Sequence, residues 1–197
     1  MNDVDHLKFW SGEFGDSYTV RNSKLNPEVE KIFTEYFATI QRESTILEVG
    51  CNIGLKLELL KNMGFDNLTG IEINKKALTI AKNKNPNIDF IESSIENFNP
   101  IHKFDLVFTS GVLVCIHPSK LENIVKKMIS LSKTYIFGYE YFAEDLTEIK
   151  YRGYSDVLWK QNFPQLFKKL CPNIEIIEQK KYGNNKNQID MAYLLKL

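Results

Sequence analysis

Glu48, Gly50, Asn52 and Gly54 fall within the seven residues "EVGCNIG", and a second acid, Glu72, closes "GIE" 22 positions beyond Gly50. Glycine at position 50 lets a chain leave a strand sharply and approach a ligand with no side chain between them, and Gly54 permits close contact where a helix begins. An acid at that distance can accept hydrogen bonds from both hydroxyls of a ribose. A cofactor carrying a nucleoside is expected here.

Two cofactors could use this arrangement. A dinucleotide needs a second glycine in G-x-G-x-x-G, where backbone amides cradle the pyrophosphate, and Asn52 stands in its place. Glu48, two residues before Gly50, would repel an anion and attract an ammonium group. S-adenosylmethionine is therefore expected over NAD. Methyl transfer from a sulfonium needs no metal. It asks the protein to position an acceptor and, for some acceptors, to remove a proton. His117 in "CIHPSKL" and Glu140 in "FGYEYF" are the candidate catalytic groups, with Tyr139 and Tyr141 beside them. For His117 the alternative is a helix start before Pro118. The opening "FWSGEFGDSYTVRN" has no clean helical or strand period. In it Phe14 and Tyr18 could stack on adenine or acceptor, and Arg21, with Arg152 far downstream, could grip a carboxylate or phosphate. The plain alternative is that Phe9, Trp10 and Phe14 staple the segment to the core and Arg21 makes a surface pair.

The elements that must hold these residues alternate. "NPEVEKIFTEYFATIQ" has an N-cap Asn26, Pro27 at the first helical position and a 3.6-residue apolar period, so it is expected to be a helix. Strands are expected at "STILEVG", "LTGIEI", "IDFIES", "FDLVFTSG" and "TYIFGYEYF". Helices are expected at "GLKLELLKNMG", "KKALTIAKNK" and "SKLENIVKKMISLS", with a further one at "NFPQLFKKLC". Strands apolar on both faces that alternate with helices imply a doubly wound, mostly parallel sheet. The tail breaks the alternation: "IEIIEQKKY" and "IDMAYLLKL", joined by "GNNKNQ", read as an antiparallel hairpin at one edge.

Bulk properties narrow the classes. With 197 residues, 43% of them hydrophobic, the chain suits one domain. It divides into an N-terminal cover and helix (1–43), a cofactor-binding core (44–142) and an acceptor-side segment with the hairpin (143–197). Lys plus Arg and Asp plus Glu both number 25, which argues against a general electrostatic grip on nucleic acid. The three cysteines have neither disulfide nor zinc spacing. No basic-then-apolar leader or long apolar run is present, so a cytoplasmic protein without membrane contact is expected.

With these residues in place, the core from Ile46 to about Phe142 resembles the class I methyltransferases, whose first motif is E-x-G-x-G-x-G. The resemblance implies a Rossmann-like seven-stranded fold and S-adenosylmethionine as cofactor. It places Glu48, Gly50, Cys51, Asn52 and Gly54 at the methionine end and Glu72 with Ile73 at the ribose. It places Ser94 and Ile95 of "ESSIENF" against adenine, and Thr109, Ser110 and Gly111 at the methyl-transfer end. The opening stretch and "YRGYSDVLWKQNF" together resemble a narrower group, the methyltransferases associated with pseudaminic acid biosynthesis. That resemblance implies a small acceptor in surface-glycan synthesis, a sugar-derived amine or hydroxyl. Segments before the first helix and after the fifth strand can fold over the strand ends as a cover; there Tyr18 and Arg21, with Asn22 beside them, are expected at the cofactor and Phe14, Tyr139 and Arg152 at the acceptor. The fourth strand lacks the D/N-P-P-Y/F signature of enzymes methylating DNA-base amines. A cofactor-binding module without turnover, or methylation of another metabolite or of RNA, are the alternatives.

Overall fold

In a computed structural model, which describes residues 5–185 and 188–197, the alternation expected from the sequence is present. The strands are β1 (Ile46–Val49), β2 (Leu68–Glu72), β3 (Asp89–Glu92), β4 (Phe104–Ser110), β5 (Ser132–Tyr141), β6 (Thr147–Tyr151), β7 (Tyr154–Lys160), β8 (Glu175–Asn185) and β9 (Gln188–Lys196). The helices are α1 (His6–Ser11), α2 (Glu13–Arg21), α3 (Pro27–Phe37), α4 (Leu55–Asn62), α5 (Lys75–Lys84), α6 (Pro118–Leu131) and α7 (Phe163–Leu170). Seven strands form one sheet in the order β3-β2-β1-β4-β5-β9-β8. The first five run parallel, and β9 inserts antiparallel between β5 and the edge strand β8. The edge hairpin is as expected, although part of its "GNNKNQ" turn lies outside the described residues.

Each face of the sheet is covered by the apolar stripe of its helices. One cluster joins Phe33 and Phe37 of α3, Leu57 and Leu60 of α4 and Ala81 of α5 to Phe108 and Phe137. The other joins Val125 and Met128 of α6 and Phe163 and Phe167 of α7 to Val107 and Ile136. Helix starts follow their caps: the Asn26 side chain accepts from Glu28 N ahead of Pro27, and Asn74 accepts from Ala77 N.

Two elements depart from the sequence expectation. The aperiodic opening forms the short helices α1 and α2, broken at the extended Gly12. Their apolar period is invisible because the buried positions of α2 are Gly15 and Thr19, one turn apart and neither hydrophobic. The segment after β5, read as a cover without a named element, holds the β6–β7 hairpin. Its turn is Arg152-Gly153, both with positive φ (50° and 90°), the geometry of a tight two-residue hairpin turn.

A third apolar cluster lies over the strand ends. Val114, Val157 and Leu158 form its buried centre, with Phe9, Trp10, Cys115, Tyr141, Ile149 and Tyr151 against them. There α1–α2 and β6–β7 meet: Phe9 and Phe14 both place their rings edge-on to Tyr154, at 5.2 and 5.3 Å.

Candidate functional site

A cavity of about 360 Å³ opens at the carboxyl ends of the parallel strands, the end at which doubly wound sheets bind ligands. Its floor begins at the loop after β1. Gly50, Asn52 and Gly54 all have left-handed φ, at 70°, 49° and 77°. A Cβ on Gly50 would lie 2.6 Å from Val112 Cγ2, so only glycine lets the loop after β4 approach this closely. Asn52 carries a positive φ that few other side chains tolerate, so its departure from the glycine pattern keeps the turn. The helix beyond starts at Gly54 with no side-chain cap.

Glu72, at the end of β2, organises this loop. Its Oε2 accepts from Asn52 N at 2.8 Å, and its Oε1 accepts from Ile73 N at 2.7 Å and Asn74 N at 2.8 Å. Burial pushes its carboxyl up, against the pull of those three amides. Cys51, Ile73, Ser94, Ile95 and Ser110 line the same cavity, so the structure brings together most of the residues read as cofactor-binding. Thr109 is buried within β4, while Gly111 follows it at the wall.

Glu48 is a correction. It points into the core, is fully buried, and does not line the cavity. Its neighbour is Lys56 Nζ at 3.3 Å, and burial pushes its carboxyl up to about 7. With a partly protonated acid paired to a lysine that itself lines the cavity, the charge argument for attracting an ammonium group loses its force. What disfavours a pyrophosphate is the Asn52 side chain where a dinucleotide loop needs bare backbone. Gly54 is also behind the wall: a Cβ there would meet Phe90 at 2.7 Å, so its role is close packing where α4 begins.

Both candidate catalytic groups are corrected as well. Successive side chains on a strand face opposite ways, and on β5 Tyr139 and Tyr141 line the cavity while Glu140 turns from it. Glu140 is buried, with Oε1 accepting from Val112 N at 3.0 Å and Oε2 from Val114 N at 3.3 Å. It shapes the loop after β4. His117 is the N-cap of α6: its Nδ1 lies 3.2 Å from Ser119 N and 2.7 Å from Ser119 Oγ, and its Nε2 faces Asp156 at 3.7 Å. It lies outside the cavity lining, because a ring that caps a helix is committed to the helix's first amides.

Among the cover residues, Tyr18 lines the cavity deeply and its phenol is pushed up by burial. Phe14 does not reach it; it stacks on Phe9 at 4.2 Å. Arg21 is exposed, 5.6 Å over the Phe14 ring, and Arg152 is exposed in the hairpin turn, so neither guanidinium enters the cavity. Asn22 does line it. Tyr139, on the wall, donates its hydroxyl to Asp190 Oδ2 at 2.8 Å.

Several residues here were not anticipated. Thr19 Oγ1 donates to Asn52 Oδ1 at 3.0 Å, and Asn74 Nδ2 donates to Asp16 Oδ1 at 2.9 Å. The cover is therefore fastened to both cofactor-side loops. Gly15 makes two close approaches: a Cβ there would fall 1.7 Å from the Trp10 carbonyl oxygen within the cover and 3.0 Å from Asn74 Nδ2 of the loop after β2. "EIN", an Asn directly after the ribose acid, was the available signal for Asn74. Asp190 carried none, since its neighbour Tyr139 is 51 residues away.

Residues 46–134 match the family model described as "Methyltransferase domain". A malonyl-[acyl-carrier protein] O-methyltransferase of Ilyobacter polytropus is 34% identical over 36% of this chain and 28% of its own length. A ubiquinone biosynthesis O-methyltransferase of Rickettsia akari is 32% identical over 60% of this chain and 47% of its own. The chain thus spans less than half the length of these curated relatives. Magnesium protoporphyrin IX methyltransferase from Synechocystis PCC 6803, solved with bound SAM, superposes with a TM-score of 0.73 over 100% of this chain and 99% of that one. At 13% identity that likeness establishes the fold.

Proposed function

We infer that this chain, a class I methyltransferase by its fold and by the domain matched over residues 46–134, moves the methyl group of S-adenosylmethionine onto a small-molecule acceptor. The observation that carries this reading is the Asn52–Glu72 junction. One carboxylate at the end of β2 fixes the turn after β1 and still opens onto a cavity that continues past it to Tyr139 and Tyr141. The Gly50–Gly54 turn would hold the methionine end, Glu72 the ribose, and Ser94 with Ile95 the adenine. The cofactor supplies an electrophilic methyl group. The chain's own residues exclude water and orient the acceptor.

The acceptor we propose is a sugar-derived amine or hydroxyl in surface-glycan synthesis. Support comes from the opening stretch and the "YRGYSDVLWK" segment, which resemble the narrower family and also touch one another over the strand ends. The chain's balanced charge argues against polymeric nucleic acid.

Titration separates the readings. S-adenosylhomocysteine is expected to bind with a roughly micromolar Kd, in the range enzymes use for small substrates, and NAD not at all. Binding of NAD without S-adenosylhomocysteine overturns the assignment. A protein that binds S-adenosylhomocysteine yet transfers no tritium from labelled S-adenosylmethionine to a small-molecule cell extract is a binding module.

The fastening of the cover gives a kinetic expectation. Thr19→Val removes the hydrogen bond to Asn52 at nearly constant volume. It should speed S-adenosylhomocysteine dissociation by about 2-fold to 10-fold, the worth of one neutral hydrogen bond. Stopped-flow dissociation measures this directly, and an unchanged rate would mean that the cover does not limit exchange.

A further inference from the structure

With Glu140 turned from the cavity and His117 committed to a helix start, the acceptor end has lost both anticipated bases. Of the tyrosines that line the cavity, Tyr139 is the one whose hydroxyl donates to a carboxylate, Asp190 Oδ2, at 2.8 Å among the described residues. Asp190 sits on β9 opposite Tyr141, and its other oxygen, Oδ1, is buried with no hydrogen-bond partner among the described residues. A buried carboxylate oxygen without a partner is costly to keep.

We propose that Tyr139 and Asp190 form a proton relay that takes the proton of the acceptor's hydroxyl or amine as that atom is methylated. Tyr139 is the catalytic residue, since it lines the cavity in which the acceptor would sit; Asp190 is a positioning residue that acts through it. The inference rests on the methyl-transfer reading. As the acceptor atom gains its bond to the methyl carbon, the S–CH3 bond breaks and its electron pair stays on sulfur, which becomes a neutral thioether. The acceptor's proton moves to the Tyr139 oxygen while the tyrosine's own proton moves to Asp190 Oδ2. Charge balances, with the sulfonium cation neutralised and the carboxylate protonated. A concerted shift spares Tyr139 from ever becoming a phenolate, a state that burial and Asp190 both oppose.

The groups that face the pair are Glu28 of α3, Tyr141 of β5 and Tyr182 of β8. Burial and the nearby Glu28 hold the Asp190 carboxyl above its usual range, and the Tyr139 hydrogen bond pulls it down. Acceptance of a proton requires ionised Asp190, so transfer should fall on the acid side of that raised ionisation.

The test uses Tyr139→Phe, Asp190→Asn and Asp190→Glu, with tritiated S-adenosylmethionine and a small-molecule cell extract as acceptor source. Loss of a proton acceptor should lower transfer by about 100-fold or more in Tyr139→Phe and Asp190→Asn. S-adenosylhomocysteine affinity and melting temperature should hold, and Asp190→Glu should recover part of the rate. The acid limb of the pH–rate profile should vanish in Asp190→Asn. Independently of turnover, the ring-carbon NMR signal of Tyr139 should titrate with Asp190 in the wild-type chain and not in Asp190→Asn. Wild-type rates in both Tyr139→Phe and Asp190→Asn, or a Tyr139 signal indifferent to Asp190, overturn the relay and leave the methyltransferase reading standing. A wild-type chain that binds S-adenosylhomocysteine but labels nothing overturns both.

Discussion

Glu72→Gln is expected to weaken S-adenosylhomocysteine binding by about 30-fold to 100-fold, from the loss of a charge-assisted hydrogen bond worth roughly 2–3 kcal/mol. The carboxylate accepts three amides, two on Oε1 and one, from Asn52, on Oε2. A glutamine keeps one oxygen. Set against Ile73 and Asn74, that oxygen preserves two bonds and points the new NH2 at the Asn52 amide, donor against donor. The turn after β1 then loses its tether at the place where a ribose hydroxyl would also look for an acceptor. Calorimetric titration reads the affinity and thermal unfolding reads the fold. An affinity within about 2-fold of wild type would show that Glu72 meets only backbone, since a lost ligand bond costs more than that.

The second large effect concerns stability and pH. Burial pushes the Glu48 and Glu140 carboxyls up to about 7, from the ordinary 4.5 of a glutamate in the unfolded chain. The folded state therefore binds protons that the unfolded state has released. Their stabilisation is complete below about pH 4.5 and is lost as pH rises through about 7, by as much as about 3 kcal/mol per carboxyl. At Glu48 the value of about 7 already includes the opposing pull of Lys56 at 3.3 Å. Urea unfolding at pH 5, 6, 7 and 8 should give a falling curve for the wild type and a visibly flatter one for Glu48→Gln. Parallel curves would mean that Glu48 titrates alike in both states.

Much of this architecture can be read from the chain because strands and helices that cover a sheet declare themselves by apolar period. Asn26-Pro27 and the helix behind it are a direct case. The cover escaped because α2 buries Gly15 and Thr19, and a face made of a glycine and a hydroxyl carries no hydrophobic signal. Strand parity could have warned that Tyr139 and Glu140 face opposite sides, yet which side held the cavity depended on the loops above. Arg152 looked like an anion ligand by residue type; its place in a two-residue turn was encoded in the following Gly153. Asp190 became visible only once β9 had paired with β5.

Gly15 sets how the cover can behave. One added carbon there would collide with the Trp10 carbonyl, which locks α2 against α1, and would press tightly on the Asn74 amide. The two short helices therefore move as one piece on the loops beneath them. Release of cofactor or product past the cover would have to break both bonds that tie it down, Thr19–Asn52 and Asn74–Asp16, so the cover is expected to pace exchange however fast the chemistry beneath it.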